Sequence, residues 1–141
     1  MKNLEYQIQI NASPEKVWKV LFTQDDEKKW ASAVNEGTFF EGNWEEDSVM
    51  RFLDSQNNGM YNLVEKNILN KELKMKHLGW ILNGEISPQN WEDSTIEYIL
   101  ETNEDGTLLT GKINVLDEFV DFFNSKYPQN FQNIKNLAEK Y

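Results

Sequence analysis

The sequence predicts an α+β fold in which a curved antiparallel sheet of about seven strands surrounds a long C-terminal helix. Between residues 36 and 115, apolar side chains largely alternate with polar ones and short turns interrupt the pattern, which indicates consecutive β-hairpins. Residues 128–141 instead repeat their apolar side chains at helical spacing. Because the helices lie at the chain ends and not between strands, the pattern favours α+β over a doubly wound fold.

The N-terminal part predicts one half-buried strand followed by two short helices. Ser13 and Pro14 are typical of a helix start, with the serine as N-cap and the proline at the first helical position. Thr23 with Asp26 resembles a capping box and opens a second short helix that ends near Trp30. We expect both helices to close one end of the sheet. The strand before them has the apolar positions Tyr6, Ile8, Ile10 and Ala12.

Turn residues divide the middle of the chain into further strands. Asn58-Gly59 is the clearest turn, because an Asn-Gly pair adopts positive φ at low cost. Residues 83–90 predict a longer loop. The resulting strands cover about residues 36–41, 48–54, 60–69, 72–81, 95–102 and 107–115.

The C-terminal region predicts two helical pieces or one kinked helix. The residue before a proline disfavours the α conformation, so we expect an interruption at Tyr127-Pro128. Pro128 then suits the first turn of the terminal helix, where its missing N–H is no loss. The apolar stripe of that helix comprises Phe131, Ile134, Leu137, Ala138 and Tyr141.

Composition limits the classes of partner and compartment. The 141 residues match the size of one domain, 1–141. A net charge of −10 argues against nucleic acid, which selects basic patches, and against anionic membrane surfaces. The absence of cysteine excludes disulfides, thiolate metal sites and a cysteine nucleophile. No apolar run approaches the ~18 residues of a membrane span, and no apolar targeting segment precedes the first strand, which favours a cytoplasmic protein.

Several short motifs match one known superfamily. Residues 8–18 fit its opening pattern I-x-I-x-A-x-P-E-x-V-W. On these motifs the chain resembles the START-like (SRPBCC) superfamily with its helix-grip fold. Within it, the chain is similar to the group related to the C-terminal domain of activators of the 90-kDa heat-shock chaperone's ATPase. Weaker matches follow in the same order along the chain: Leu21-Phe22-Thr23, Trp30, Phe40-Glu41-Gly42-Asn43-Trp44, Ser48 and Gly106-Thr107-Leu108-Leu109-Thr110.

The resemblance implies a seven-stranded antiparallel sheet around one uninterrupted helix, with a hydrophobic cavity between them. Members bind lipids, hormones or other apolar ligands; some are cyclases or dehydratases, and some bind a chaperone. Functional residues differ between branches, so the resemblance implies a cavity but no catalytic set. The chain departs from the family at Tyr127-Pro128, where an unbroken helix with a Gly-Trp near its start is expected.

Alternate residues along a strand share a face of the sheet, so their positions predict which side chains line this cavity. Gly111 lacks a side chain on that face, and we expect it to let the long helix come close. The orientation of strand four stays open between Met60/Val64 and Tyr61/Leu63. A filled core stays open as the alternative to a cavity. The predicted ligand-binding residues are Tyr6, Ile8, Phe52, Met75, His77, Tyr98, Leu109, Ile113, Phe131 and Ile134.

Few side chains suggest chemistry. His77 is the single histidine; alone it does not form a usual zinc site, but an imidazole can act as acid or base. The alternative is a hydrogen-bonded histidine at the sheet rim. Arg51, the single arginine, alternates with Met50 and Phe52 and therefore predicts a surface cation. We expect no metal and no cofactor, and no motif of a well-marked enzyme class occurs.

Three functions fit the sequence. The leading hypothesis is binding of a small apolar or amphipathic ligand in a cavity between the sheet and the C-terminal helix. The second is a protein-interaction module that contacts a chaperone or another protein through exposed aromatics such as Trp44, Trp80 and Trp91, for which hydrophobic plugs are an equal alternative. The third is a cyclase or dehydratase with His77 as base; overall the sequence favours a non-enzyme.

Overall fold

A computed structural model describes residues 1–23, 26, 39–91 and 94–140 of the chain. A 3-10 turn at Asp117–Phe119 joins the last strand to the second helix, α2. The elements in chain order are β1 Lys2–Ile10, α1 Pro14–Phe22, β2 Phe39–Glu41, β3 Val49–Leu53, β4 Gly59–Ile68, β5 Glu72–Leu82, β6 Glu85–Pro88, β7 Thr95–Asn103, β8 Gly106–Val115 and α2 Val120–Lys140.

The described strands form one open antiparallel sheet in the order β1-β8-β7-β5-β4-β3-β2, with β6 paired to the end of β5. The first strand therefore lies beside the last one, in register from Lys2 opposite Val115 to Ile10 opposite Thr107. α2 packs against β1 and α1. We call the sheet face that carries the core under α2 the inner face. The predicted α+β class, with a curved antiparallel sheet and a long C-terminal helix, is confirmed.

The first helix begins where the sequence predicts. The Lys16 backbone N–H donates to the Ser13 side-chain oxygen at 3.3 Å, and Pro14 occupies the first turn. The buried face of α1 consists of Val17, Val20, Leu21 and Phe22. Of the predicted second short helix, only its start is described, where the Thr23 hydroxyl donates to Asp26 at 3.1 Å. The rest of that helix, and residues 36–38 of the predicted second strand, lie outside the described residues.

The C-terminal helix is continuous, and the predicted interruption at Tyr127-Pro128 is wrong. Pro128 lies inside α2, not in its first turn. A proline inside a helix costs about 3 kcal/mol, because it removes one backbone hydrogen bond and crowds the preceding turn. One unbroken apolar face offsets that cost, since Phe123 and Tyr127 before the proline and Phe131 after it join the same core. The uninterrupted helix is the form that the family resemblance implies.

The predicted loop at 83–90 contains a strand that sequence analysis missed. Asn83 and Gly84 both have positive φ, 53° and 83°, which is the geometry of a tight two-residue hairpin turn. β6 follows and pairs with β5, with Ile86 opposite Ile81. The Asn-Gly signal was therefore present but was assigned to a loop. At the other Asn-Gly pair the hairpin is confirmed, although the positive φ belongs to Asn57.

The register settles the orientation of β4, since residues paired across strands point to the same face. Asn62 pairs with Met50, and Met60 pairs with Phe52. These residues and Val64 face inwards. Tyr61 pairs with Arg51 on the opposite, outer face, which confirms that Arg51 does not share the face of its neighbours. A small second apolar cluster on the outer face comprises Phe39, Leu53, Tyr61, Leu78 and Ile81.

A β-bulge interrupts the pairing of β4 with β5. Consecutive residues Tyr61 and Asn62 lie opposite Gly79 and His77, so Leu78 has no partner across the ladder. His77 and Gly79 consequently point to opposite faces, although they are two residues apart. His77 faces inwards with Asn62 by regular alternation from Met75, and the bulge after it brings Trp80 to the same inner face.

Candidate functional site

α2 approaches the sheet closely at Gly111 on β8. A Cβ atom at this position would lie 2.6 Å from Phe131 Cζ, so only glycine leaves room for the ring. Phe131 meets Tyr6 edge-on, with ring centroids 6.2 Å apart, and Tyr127 stacks on Tyr6 at 5.7 Å. The expectation that Gly111 lets the long helix come close is confirmed.

The tyrosine hydroxyls in this layer are bonded to one another or to α2. The Tyr6 hydroxyl donates to Asn124 Oδ1 at 2.6 Å. Tyr127 forms a side-chain hydrogen bond with Tyr98, and burial raises the pKa of Tyr127 far above the ordinary value. These hydroxyls stay neutral and tie the helix to the sheet, which is a role that core tyrosines commonly have.

The ten predicted lining residues divide into three groups. Tyr6, Ile8 and Phe52 are half-buried against the main core. His77 is buried outside that core, in the polar group described below. The remaining six are buried within the main core: Met75, Tyr98, Leu109, Ile113, Phe131 and Ile134. Their contact with a ligand stays a prediction.

Three polar side chains form what we call the polar site: Asn62, His77 and Ser94. His77 Nδ1 lies 2.9 Å from Ser94 Oγ, and the His77 backbone N–H donates to the Ser94 carbonyl at 2.9 Å. All three are buried, with 4% to 6% of their surface exposed. Burial lowers the pKa of His77 to about 4, so the imidazole is neutral at pH 7. The polar site is therefore an uncharged patch on an otherwise apolar inner face.

Two buried amide oxygens have no hydrogen-bond partner among the described residues: Asn62 Oδ1 in the polar site and Asn130 Oδ1 on α2. Asn130 is 1% exposed and shares the buried side of the helix with Phe131 and Ile134. An unpaired buried polar group costs about 1–3 kcal/mol, so most such groups in folded proteins are paired. Sequence analysis missed both residues. The sequence carried no signal for Asn62, because the orientation of β4 was open, and an isolated asparagine such as Asn130 usually indicates the surface.

A ring cluster that we call the aromatic rim lies at the end of the sheet beside the polar site. Trp80, the next inner-facing residue after His77, pairs with Met60. Trp80 and Trp91 meet edge-on with centroids 5.0 Å apart, and Phe119 contacts both at 6.0 and 6.2 Å. All three rings are half-buried. An apolar surface of this kind suits the non-polar part of a ligand or protein partner.

Trp44 is not the exposed aromatic that the interaction hypothesis expects. Its ring packs edge-on against Phe22 and Phe40, at 4.8 and 5.0 Å, and lies 5.8 Å from Phe52. Its Nε1 atom is buried and has no hydrogen-bond partner in the part of the chain that the structure describes. Trp44 reaches this position because it adopts a positive φ of 63° in the turn after β2. It therefore closes the end of the core near α1.

Two surface depressions lie away from the space between the sheet and α2. One, of about 480 Å³, includes the outer-face residues Glu5, Glu97 and Lys112 of three neighbouring strands. The other, of about 490 Å³, lies at the β4–β5 turn beside α1. It includes Ile68 and Leu69, of which Leu69 is 70% exposed.

Charged ligands for a metal are not gathered in the described part of the chain. No group of three or more His, Asp or Glu side chains suited to a metal occurs there. The inner faces of β3, β4, β5, β7 and β8 carry no lysine or arginine within their described ranges. Over the same described residues, no helix is long and apolar enough to cross a membrane.

The architecture is that of the START-like, helix-grip class: an antiparallel sheet, a short helix after the first strand and a long helix after the last. Residues 11–124 match the family model described as "Activator of Hsp90 ATPase homolog 1-like protein". The chain belongs to this family. A comparison with curated protein sequences gave no match.

Solved structures with the same fold include members of that family. An Aha1 dimer from Colwellia psychrerythraea is 28% identical, with a TM-score of 0.76 over 99% of this chain and 97% of that chain. A Mesorhizobium loti protein superposes with a TM-score of 0.78 at 15% identity, over 99% and 98% of the two chains. An AHSA1-like protein from Aeromonas hydrophila gives 0.74 at 10% identity, over 99% and 93%. The last two show the fold alone.

Proposed function

We propose that the protein binds a small amphipathic molecule between the inner face of its sheet and α2. The observation that carries the proposal is the pair of buried, unpartnered amide oxygens of Asn62 and Asn130. A domain that only had to be stable would place apolar side chains at these positions, because an unpaired polar group costs more than it contributes. A ligand that donates a hydrogen bond to Asn62 Oδ1 in the polar site removes that cost at this residue.

The surroundings of the polar site support the same proposal. The aromatic rim supplies apolar area beside it, and burial of apolar ligand surface contributes about 25 cal/mol per Å² before ordering costs. Phe52 and Met60 are half-buried neighbours on the inner face, not fully packed core residues. In this arrangement the apolar part of the ligand lies among the rings, and its polar end meets Asn62 and His77.

Native mass spectrometry of gently purified protein, with a denatured control, tests for a co-purified ligand. Titration with the neutral fluorophore N-phenyl-1-naphthylamine provides the quantitative assay. We expect saturable binding with one site per chain, and at least fivefold weaker affinity in Trp80→Ala, which removes a ring of the aromatic rim. Leu69→Asp, at the distant β4–β5 turn, serves as control and retains full affinity. Unsaturable binding, or loss of binding in the control alone, contradicts the proposal.

A second candidate is a protein-interaction surface at the β4–β5 turn. Ile68 and Leu69 are 41% and 70% exposed there, beside the 490 Å³ depression, and exposed apolar residues at one place commonly mark partner contacts. The family description names activators of the Hsp90 ATPase, which makes a chaperone of that type the partner to test. Leu69→Asp is then expected to abolish co-precipitation with Hsp90. Ile86→Asp, exposed on β6, provides the matched control, and equal loss in both variants argues against a specific surface.

A further inference from the structure

We propose that the polar site selects ligands whose polar end is uncharged and donates a hydrogen bond, such as an alcohol, and rejects carboxylates. This inference rests on the proposed function and specifies the chemical class of its ligand. It follows from the kind of polar groups present and from the charges that are missing around them.

The unpaired atoms require a donor. Asn62 Oδ1 and Asn130 Oδ1 are acceptors, each buried within a residue that is 4% or 1% exposed. A hydroxyl donates one hydrogen bond and accepts others, so it pairs with an amide oxygen and with a neighbouring N–H or O–H group. A carboxylate only accepts. It would leave Asn62 Oδ1 unpaired and place a negative charge next to the partial negative charge of that oxygen.

Within the described ranges of β3, β4, β5, β7 and β8, no lysine or arginine faces inwards to compensate for an anion at this place. His77 faces the same side as Asn62, and its imidazole is held neutral by burial at pH 7. The single arginine, Arg51, pairs with Tyr61 on the outer face. Lys74 and Lys76 alternate with Met75 and His77 on β5 and therefore point outwards as well. A buried anion without a cation or several donors carries a desolvation cost of several kcal/mol.

On α2, the lysine that precedes Tyr127 is the cation to test. Lys126 is half-buried, one residue before the ring that stacks on Tyr6. Lys135 is committed elsewhere, because its ammonium group donates to the Gln9 carbonyl at 3.0 Å and pairs with Glu139. Lys126, and Lys2 opposite Val115 on the inner side of β1, are therefore the cations through which a carboxylate ligand would have to be bound if the proposal were wrong.

The decisive experiment compares two ligands with the same tail. 1-Decanol and decanoate compete against N-phenyl-1-naphthylamine at pH 8, below the concentrations at which either aggregates. We expect decanol to displace the fluorophore at a concentration about tenfold or more below that of decanoate. Asn62→Leu is expected to weaken decanol severalfold and to leave decanoate unchanged. Asn3→Leu, on the exposed outer face of β1, is the matched control and changes neither.

The outcomes separate the two proposals. Equal competition by both ligands, or tighter binding of decanoate that Lys126→Met abolishes, overturns the head-group selectivity while leaving ligand binding in place. Fluorophore binding that neither ligand displaces overturns the selectivity, since an alcohol of this length satisfies every stated requirement. No fluorophore binding at all overturns the proposed function and the selectivity together. If Asn62→Leu fails to fold, the wild-type comparison of the two ligands still decides the question.

Discussion

The missing side chain of Gly111 makes room for the ring of Phe131, whose Cζ atom lies 2.6 Å from where a Cβ would stand. Gly111 is paired with Tyr6 on one side and Tyr98 on the other. The glycine therefore lies at the centre of an aromatic layer that joins three strands to α2. The contact fixes how near the helix comes to the sheet at this layer.

Substitution of Gly111 by alanine is expected to lower the free energy of unfolding by about 1–3 kcal/mol, because the added methyl group overlaps the Phe131 ring. Chemical denaturation measures the change. In a Phe131→Leu background the same substitution should have little effect, since the overlapping atom is gone, and the double-mutant cycle gives the coupling. Lys112→Ala on the outer face is the control. Equal loss in both backgrounds would show that the cost does not come from this contact.

His77 should make stability depend on pH between about 4 and 6.5. Its pKa is lowered by burial to about 4 in the folded protein, whereas an unperturbed histidine has a pKa of about 6.5. The unfolded chain therefore binds more protons in this interval, so stability falls as pH falls, by about 3 kcal/mol in total. Because His77 is the only histidine, one imidazole signal in an NMR titration reports its pKa directly. In His77→Gln this part of the pH dependence should disappear; an NMR pKa near 6.5 contradicts the prediction.

Asn62→Leu is expected to increase the free energy of unfolding by about 1 kcal/mol, because it replaces an unpaired buried oxygen with apolar atoms of similar size. Stability gained together with affinity lost is the signature of a residue kept for binding. Thermal and chemical denaturation of the ligand-free protein provide the measurement. A large destabilisation would mean that Asn62 has a structural role.

Glu72 and Glu97 form a hydrogen-bonded carboxyl pair on the outer face. Burial, then the hydrogen bond to Glu72, raises the pKa of Glu97, while that hydrogen bond lowers the pKa of Glu72. A raised folded-state pKa means that Glu97 contributes to stability when protonated and that this contribution is lost as pH rises. Glu97→Gln keeps a donor for Glu72 without the titration. The melting temperature of the variant minus that of the wild type should therefore be larger at pH 7.5 than at pH 4.

The control for this pair is Glu101→Gln, an exposed change further along the same strand. Its melting temperature should differ from the wild type by a similar amount at both pH values. If Glu97→Gln behaves in the same way as Glu101→Gln, the raised pKa of Glu97 does not contribute to the pH dependence of stability.

Local patterns were enough to predict α1 and the sheet apart from β6. They also predicted the inner-facing residues of β1, β7 and β8, and those of β5 up to the bulge. They failed where distant contacts decide the outcome. Pro128 carries a local signal against a helix, yet burial of Tyr127 and Phe131 on one face keeps α2 continuous. The orientation of β4 required the pairing of Met60 with Phe52, which no property of β4 itself reveals.

The candidate site was only partly predictable for the same reason. His77 was identified because histidine is chemically versatile. Asn62 and Asn130 were not, because an isolated asparagine in a sequence usually indicates a turn or surface position. What distinguishes these two is that they are buried without partners, and burial depends on the assembled sheet and helix.

The bulge at Leu78 marks one position at which β5 can change in length without a change in register. Insertions and deletions are ordinarily tolerated in loops. In a strand they disrupt the sheet, because a shift of one residue moves every later side chain to the opposite face. Here the strand already contains one extra residue. A single-codon deletion at Leu78 would join His77 directly to Gly79, restore regular pairing with Tyr61 and Asn62, and leave Trp80 on the inner face opposite Met60. Relatives that lack this extra residue should therefore keep the same inner-face side chains and the same fold.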